Sequence, residues 1–244
     1  MQSAWLRRGP LALSLLPVAA LFGALAFVRR SLYRAGWLRT HRLHVPVVIV
    51  GNLVAGGAGK TPAVMAIVRR LRERGFNPGI ISRGYGRADA GLVDVQPDTP
   101  VVSCGDEPLL LRLRTGAPVM VGHDRAAAGN ELLRRYSAVN IIVSDDGLQH
   151  WRLARDAQVL VFDERGAGNG WLLPAGPLRE ALPARVPPRT VVLYNAVRAS
   201  TPLPGELATR SLAGVVSLAD WWQGRVANRA ALEAMKGRTL VAAA

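Results

Sequence analysis

A glycine-rich loop constrains this chain more than any other feature. Gly51-Asn-Leu-Val-Ala-Gly56-Gly57-Ala58-Gly59-Lys60-Thr61-Pro62 lies between a continuous apolar run, Val45–Val50, and an amphipathic stretch, Thr61–Arg74. Glycines allow a tight turn whose backbone N–H groups face an anion. Pro62 suits a first helical turn, where a missing N–H costs nothing, and the helix N-terminus adds its dipole. In such a loop Lys60 reaches β- and γ-phosphates and Thr61 ligates Mg²⁺. The strict pattern asks for glycine where this chain has Val54. The strand before and the helix after outweigh that departure. Gly56, Gly57, Ala58, Gly59, Lys60 and Thr61 are therefore expected to bind nucleotide.

Further apolar runs end in Gly, Asn, Asp or Ser: Gly79–Ser82, Ala117–Val121, Val139–Ser144, Ala157–Phe162, Thr190–Asn195, Gly214–Leu218 and Thr239–Ala244. Continuous rather than alternating runs suggest strands buried on both faces of a parallel sheet. Helical patterns fall between them at Thr61–Arg74, Glu107–Arg114, Asp124–Tyr136 and Asn228–Met235. This alternation predicts an α/β, P-loop NTPase-like, mostly parallel sheet with helices on both faces. The 244 residues, half of them hydrophobic, can bury a sizeable core, which excludes a disordered chain. One cysteine, Cys104, excludes a disulfide framework.

The net charge of +14 invites a nucleic-acid or membrane partner. Residues 1–72 carry eleven of the 31 basic residues and no acidic one; the remaining 172 residues hold twenty basic against all 17 acidic residues. The excess thus belongs to the N-terminus. There, Gly9 to Val28 is uncharged and fenced by Arg7/Arg8 and Arg29/Arg30. About twenty apolar residues span a bilayer core. The segment reads as a retained membrane anchor or deeply inserted helix, kinked at Pro17, rather than a signal peptide or soluble helix. The more numerous arginines after it place the body on the cytoplasmic side, against anionic headgroups. Charge beside an apolar span, not interleaved with aromatics, argues against nucleic acid.

Two acidic constellations complete the pattern. Asn140–Ser144 runs into Asp145-Asp146-Gly147-Leu148-Gln149-His150. A buried strand closing in Asp places a carboxylate near Mg²⁺. Cys104-Gly105-Asp106-Glu107-Pro108 opens a helix; its acids suit helix capping, and Asp106 is a general-base candidate by position only. Arg83, Arg125 and Arg179 lie in turns where an arginine can clamp phosphate. His123 and His150 have no zinc-site spacing.

The order of motifs resembles one family. It comprises the apolar N-terminal helix, Gly51-Asn52 leading to Gly56–Pro62, Ser82-Arg83-Gly84-Tyr85-Gly86, Gly105–Pro108, Asp124-Arg125, Asp145–His150, Gly168-Asn169-Gly170 and Leu173–Glu180. This is similar to the tetraacyldisaccharide 4'-kinases, the lipid A 4'-kinases of Gram-negative bacteria. The resemblance implies an inner-membrane enzyme, working at the cytoplasmic face, that moves the ATP γ-phosphate to the 4'-hydroxyl of a tetraacylated glucosamine disaccharide 1-phosphate. It implies ATP and Mg²⁺ held by Lys60 and Thr61, a metal site including Asp145 and Asp146, and Asp106 as catalytic carboxylate beside Glu107. Arg83, Tyr85, Arg125, Gln149, His150, Arg179 and Glu180 would line the site. The partners implied are the lipid A disaccharide precursor and anionic inner-membrane lipids.

The resemblance implies a further, smaller C-terminal α/β domain with a His-rich motif, and the end at Ala244 inside an apolar run is read as a truncation ahead of it. The expected organisation is an anchor over 1–42, a kinase domain over 43–225 and the start of a truncated domain over 226–244. The 244-residue chain alone is expected to bind nucleotide weakly or to be inactive. Alternatives from the residues alone are a membrane-tethered NTPase without a lipid acceptor and a non-catalytic nucleotide-binding fragment.

Overall fold

A computed structural model of the chain describes residues 4–87, 91–208 and 214–237. Two compact units divide at residues 208 and 209. The first opens with a short 3-10 turn, Ala4–Leu6, then α1 (Pro10–Ser14) and α2 (Leu16–Arg34). It continues through β1 (Val47–Gly51), α3 (Lys60–Glu73), β2 (Pro78–Ser82), β3 (Val93–Val95), α4 (Val101–Cys104) and α5 (Asp106–Thr115). Then come β4 (Val119–Val121), α6 (Arg125–Arg135), β5 (Ile141–Asp145), β6 (Ala157–Asp163), β7 (Thr190–Asn195) and β8 (Glu206–Leu207).

The eight strands form one sheet in the order β3-β4-β2-β5-β1-β6-β7-β8. Every pairing is parallel except β3 with β4. The expected α/β sheet is present, and its burial explains why its strands read as unbroken apolar runs. Successive residues feed opposite cores. Ile49, Ile81, Ile142 and Phe162 pack on one face with Leu132 and Leu133 of α6. Val50, Ile80, Val143 and Val161 pack on the other with Val64 and Val68 of α3 and Leu109 and Leu111 of α5. The short edge strands β3 and β8 were not legible as apolar runs; two or three residues leave too little period to detect.

Parallel strands direct all their carboxyl ends to one side, where ligands of such sheets bind. The register sets Val50 beside Asp145 and Asp163 beside Asn195. The phosphate loop after β1 therefore lies between the ends of β5 and β6.

The N-terminal segment differs from a simple kinked span. The helix breaks at Leu15, ahead of Pro17, because Pro17 has no N–H to donate back to the preceding turn and its ring crowds that turn's carbonyl. Among the described residues α2 alone keeps the length and apolarity to cross a membrane, about 28 Å at helical rise. Both arginine fences touch the body. Trp5 Nε1 donates to the Pro174 carbonyl at 3.0 Å, and Arg8 Nε donates to the Asn169 carbonyl at 3.1 Å. At the other end Arg30 sits 5.0 Å over the Trp151 ring and 3.8 Å from Glu180. A Cβ on Gly23 would meet Leu172 Cδ1 at 2.6 Å, so glycine lets the helix lie close. Val18, Leu21, Leu25 and Val28, at helical spacing, remain more than half exposed.

The second unit, by itself, contains α7 (Leu218–Trp222) and α8 (Arg229–Glu233), with Val215 bridging Asn228. The run Gly214–Leu218 is thus not a strand. Ser217 Oγ accepts the Asp220 N–H and caps α7, turning the chain into a helix. The run Thr239–Ala244 lies outside the described residues.

Leu132 is fully buried between α6 and the sheet. Leu132→Ala is expected to cost about 2–5 kcal/mol of unfolding free energy, read from the urea midpoint by tryptophan fluorescence.

Candidate active site

The phosphate loop is built as its sequence demands. Gly56 and Gly59 take φ of +98° and +78°, which glycine adopts without strain. α3 then starts at Lys60. Lys60 Nζ lies 3.4 Å from Asn52 Oδ1 and 3.8 Å from Asp146 Oδ1. Asn52, fully buried at the end of β1, also donates to the Gly56 carbonyl at 3.0 Å. Thr61 Oγ1 faces Glu107 Oε1 at 3.5 Å, so Glu107 stands at the loop mouth.

Asp145 ends β5 with 1% exposure. Its Oδ2 accepts from Ser82 Oγ at 3.2 Å, and its Oδ1 has no partner. Burial pushes its pKa up to about 6; Glu107 and Asp146 add to the rise, while Lys60 and Ser82 oppose it. Asp146 adopts a left-handed φ of +47° and turns towards cations. Arg179 Nη1 lies 3.2 Å from both its oxygens.

Arg125 opens α6, whose cap is Asp124 accepting from Ala126 and Ala127. Its buried guanidinium donates to the carbonyls of Asp145 at 3.2 Å and Asp146 at 2.7 Å. It therefore fixes the backbone of the acidic pair; burial lowers its pKa, and the two carboxylates oppose that. Gln149 Oε1 accepts from Arg179 at 3.5 Å. His150 is pushed down to about 4 by burial and then by Arg125, so its imidazole is neutral near pH 7. Burial raises the Glu180 pKa against Arg30 and Arg155.

A groove of about 800 Å³ opens beside these groups. Arg83, Arg125, Asp146, Gln149, His150 and Arg179 line one wall, and Phe22, Leu25 and Phe27 of α2 the other. Arg83 also donates to His123 Nδ1 at 3.4 Å. Lys60, Thr61, Glu107 and Asp145 lie beside this lining rather than in it, and Tyr85 and Asp106 stand apart from it too. Tyr85 is 86% exposed and makes no part of the groove. Asp106 is exposed in the first turn of α5, where its Oδ1 accepts from the Glu107 N–H at 2.9 Å. Its loop is nevertheless held against Ser82–Gly86: a Cβ on Gly84 would lie 2.8 Å from the Cys104 carbonyl oxygen.

Sequence reasoning did not single out Asn52, Ser82, Trp151, Arg165 or Asn195 as site residues, although all five bond with its groups or flank them. Ser82 and Asn195 carry a signal as polar residues ending apolar runs, and Asn52 and Ser82 stand within the motifs of the resemblance.

A profile of the LpxK family, tetraacyldisaccharide-1-P 4'-kinase, matches residues 11–244. The chain belongs to this family. It is 55% identical over 241 residues to the tetraacyldisaccharide 4'-kinase of Methylibium petroleiphilum, covering 98% of the chain and 67% of that protein. It is 52% identical over 244 residues to that of Leptothrix cholodnii, covering the whole chain and 70% of that protein. The chain thus spans about two-thirds of the length of these relatives. Among solved structures, Aquifex aeolicus LpxK, crystallised in complex with ATP, matches with a TM-score of 0.67 and 33% identity, over 75% of this chain and 58% of its own.

In this LpxK-family chain no three or more His, Cys, Asp and Glu side chains among the described residues gather to hold a metal alone. Magnesium beside a nucleotide asks for less: one or two carboxylates with substrate phosphates. The unpartnered Asp145 Oδ1, with Thr61 Oγ1 across the loop mouth, fits that demand.

Charging a buried Asp145 opposes folding. Its folded pKa lies above the unfolded value, so the unfolded state binds fewer protons between about pH 4 and 6, and stability falls as pH rises through that window. Asp145→Asn is expected to stabilise the nucleotide-free protein by roughly 1–3 kcal/mol at pH 7.5. That advantage over wild type should shrink as pH falls from 6 towards 4, measured by denaturant titration at each pH.

Proposed function

We propose that the chain transfers the γ-phosphate of ATP to the 4'-hydroxyl of a tetraacylated glucosamine disaccharide 1-phosphate at a membrane surface. One observation carries this reading: the groove joins an apolar helix wall to a cationic wall that ends at Asp146, itself paired with Lys60 of the phosphate loop. An acceptor with acyl chains and a phosphorylated sugar needs both walls. Membership of the LpxK family and the likeness to an ATP-bound relative support it.

In this mechanism the loop N–H groups and Lys60 hold the β- and γ-phosphates. Thr61, Asp145 and Asp146 would hold Mg²⁺, which neutralises charge developing between those phosphates. Arg125 keeps Asp145 and Asp146 in place through their carbonyls. Arg83 and Arg179 face the acceptor, where cations favour its anionic groups. Asp106 accepts the proton of the 4'-hydroxyl as oxygen attacks the γ-phosphorus, and ADP leaves as the bond to the β-phosphate oxygen breaks. Its exposed carboxylate, one residue from Glu107 at the loop mouth, supports that assignment. Neutral His150, with Gln149 and Glu180, completes the acceptor wall.

The same helix supplies the membrane contact. The stripe Val18, Leu21 and Val28 would enter the acyl region, with Leu25 at the border of the groove, while the opposite face stays on the body. Arg29, Arg34 and Arg39 would then meet anionic headgroups of the inner membrane's cytoplasmic leaflet. This geometry suits an inserted helix lying along the body, because both its ends are tied to the same domain.

Transfer of labelled phosphate to the acylated disaccharide tests the reaction. Turnover by this chain, however slow, should require the acceptor; ATP hydrolysis indifferent to it overturns the kinase reading in favour of a tethered NTPase. Asp106→Ala should lower the rate by about 10²–10⁴-fold while leaving ATP affinity unchanged. Replacing Leu21, Leu25 and Val28 together by Ser should release most of the protein from phosphatidylglycerol vesicles in a sedimentation assay; unchanged sedimentation would place the membrane contact elsewhere.

A further inference from the structure

We propose that Arg165 and Asn195 are positioning residues that hold the phosphate loop in its phosphate-binding form before nucleotide arrives. The inference rests on the ATP-site reading and adds to it two residues far along the chain from the loop.

Three consecutive loop carbonyls each accept one side-chain donor. Asn52 Nδ2 reaches the Gly56 carbonyl at 3.0 Å, Arg165 Nη2 the Gly57 carbonyl at 2.6 Å, and Asn195 Nδ2 the Ala58 carbonyl at 3.3 Å. These donors stand at or just beyond the carboxyl ends of β1, β6 and β7, which are neighbours in the sheet. The peptide unit is planar and trans, so a carbonyl turned one way turns the following N–H the opposite way. Holding the carbonyls of residues 56, 57 and 58 against the strand ends therefore directs the N–H groups of Gly57, Ala58 and Gly59 away from them. Among the described residues none of those three N–H groups finds a protein acceptor. Successive free N–H groups on a glycine-rich turn form an anion-binding concavity. Left to itself, a run rich in glycine samples many conformations, and each peptide fixed in advance removes an ordering cost from binding.

Arg165 is itself held in place. Asp163, the last residue of β6, accepts from its Nε at 2.9 Å and its Nη2 at 2.6 Å, and from its backbone N–H at 3.0 Å. Arg165 thus reaches the loop as a braced arm, its charge balanced by Asp163. Asp163 and Asn195 are register partners, so the two donors to Gly57 and Ala58 come from one adjacent pair of strand ends.

The test is ATP affinity of the full 244-residue chain with MgCl₂, by calorimetry, beside the nucleotide-free thermal midpoint. Arg165→Ala and Asn195→Ala should each weaken ATP binding by roughly 5- to 20-fold. Their midpoints should stay within about 2 °C of wild type, since an exposed or half-buried donor to a surface loop adds little to global stability. Arg165→Lys, which keeps a donor near the Gly57 carbonyl, should retain most of the affinity. Asp163→Asn should resemble Arg165→Ala, and the double variant should be no weaker than Arg165→Ala alone. Affinities within twofold of wild type, additive losses in the double variant, or losses that track a falling midpoint would overturn the proposal. A wild-type chain that fails to bind ATP, or Lys60→Ala binding like wild type, would overturn the ATP-site reading, and this inference with it. Lys60→Ala losing ATP while Arg165→Ala does not would overturn this inference alone.

Discussion

Burying the Asp145 carboxylate at the end of a central strand is the constraint around which the site is organised. A lone charge there is costly, and Asp145 receives only one hydroxyl donor, from Ser82. The surrounding structure offsets this without neutralising the group. Arg125 is itself buried, yet it spends its hydrogen bonds on the carbonyls of Asp145 and Asp146 rather than on their carboxylates. Lys60 and Arg179 go to Asp146. Asp145 thus retains a free oxygen and a pKa near 6, a condition that a divalent cation would relieve. Strain useful for binding is kept at one atom, while the backbone around it is tied on both sides.

Much of the fold was legible because its determinants are local. β1, β2, β5, β6 and β7 are runs of five to seven residues, long enough for burial on both faces to show as continuous apolarity. α3 and α6 carry an apolar stripe and end at recognisable signals. The glycine-rich loop and the acidic pair stand out as candidates for the same reason: their pattern is written in consecutive residues. The groups that orient them do not. Arg165 and Asn195 lie 108 and 137 residues from the loop carbonyls they hold; Asn195 shows locally only as the polar end of an apolar run, and Arg165 not at all. Gly214–Leu218 failed as a strand because one serine, placed to cap, decided the issue over an apolar run.

The N-terminal segment shows how a composition signal gains detail from packing. Arginine pairs fencing an apolar stretch read as interface anchors. In the fold, Arg8 and Arg30 each lie against an indole of the body, over Trp171 and Trp151. The helix is thereby fixed along the domain and forms a wall of the groove while presenting an exposed apolar stripe.

Trp151 has guanidinium groups on it from both Arg30 of α2 and Arg155 of the body, at 5.0 and 4.5 Å from its ring. It is also the residue that follows His150. The apolar helix α2 and the segment Asp145–His150 are therefore referenced to one indole, which itself lines the groove. The position of the apolar helix and the position of the groove wall become one dimension, set like a gauge block.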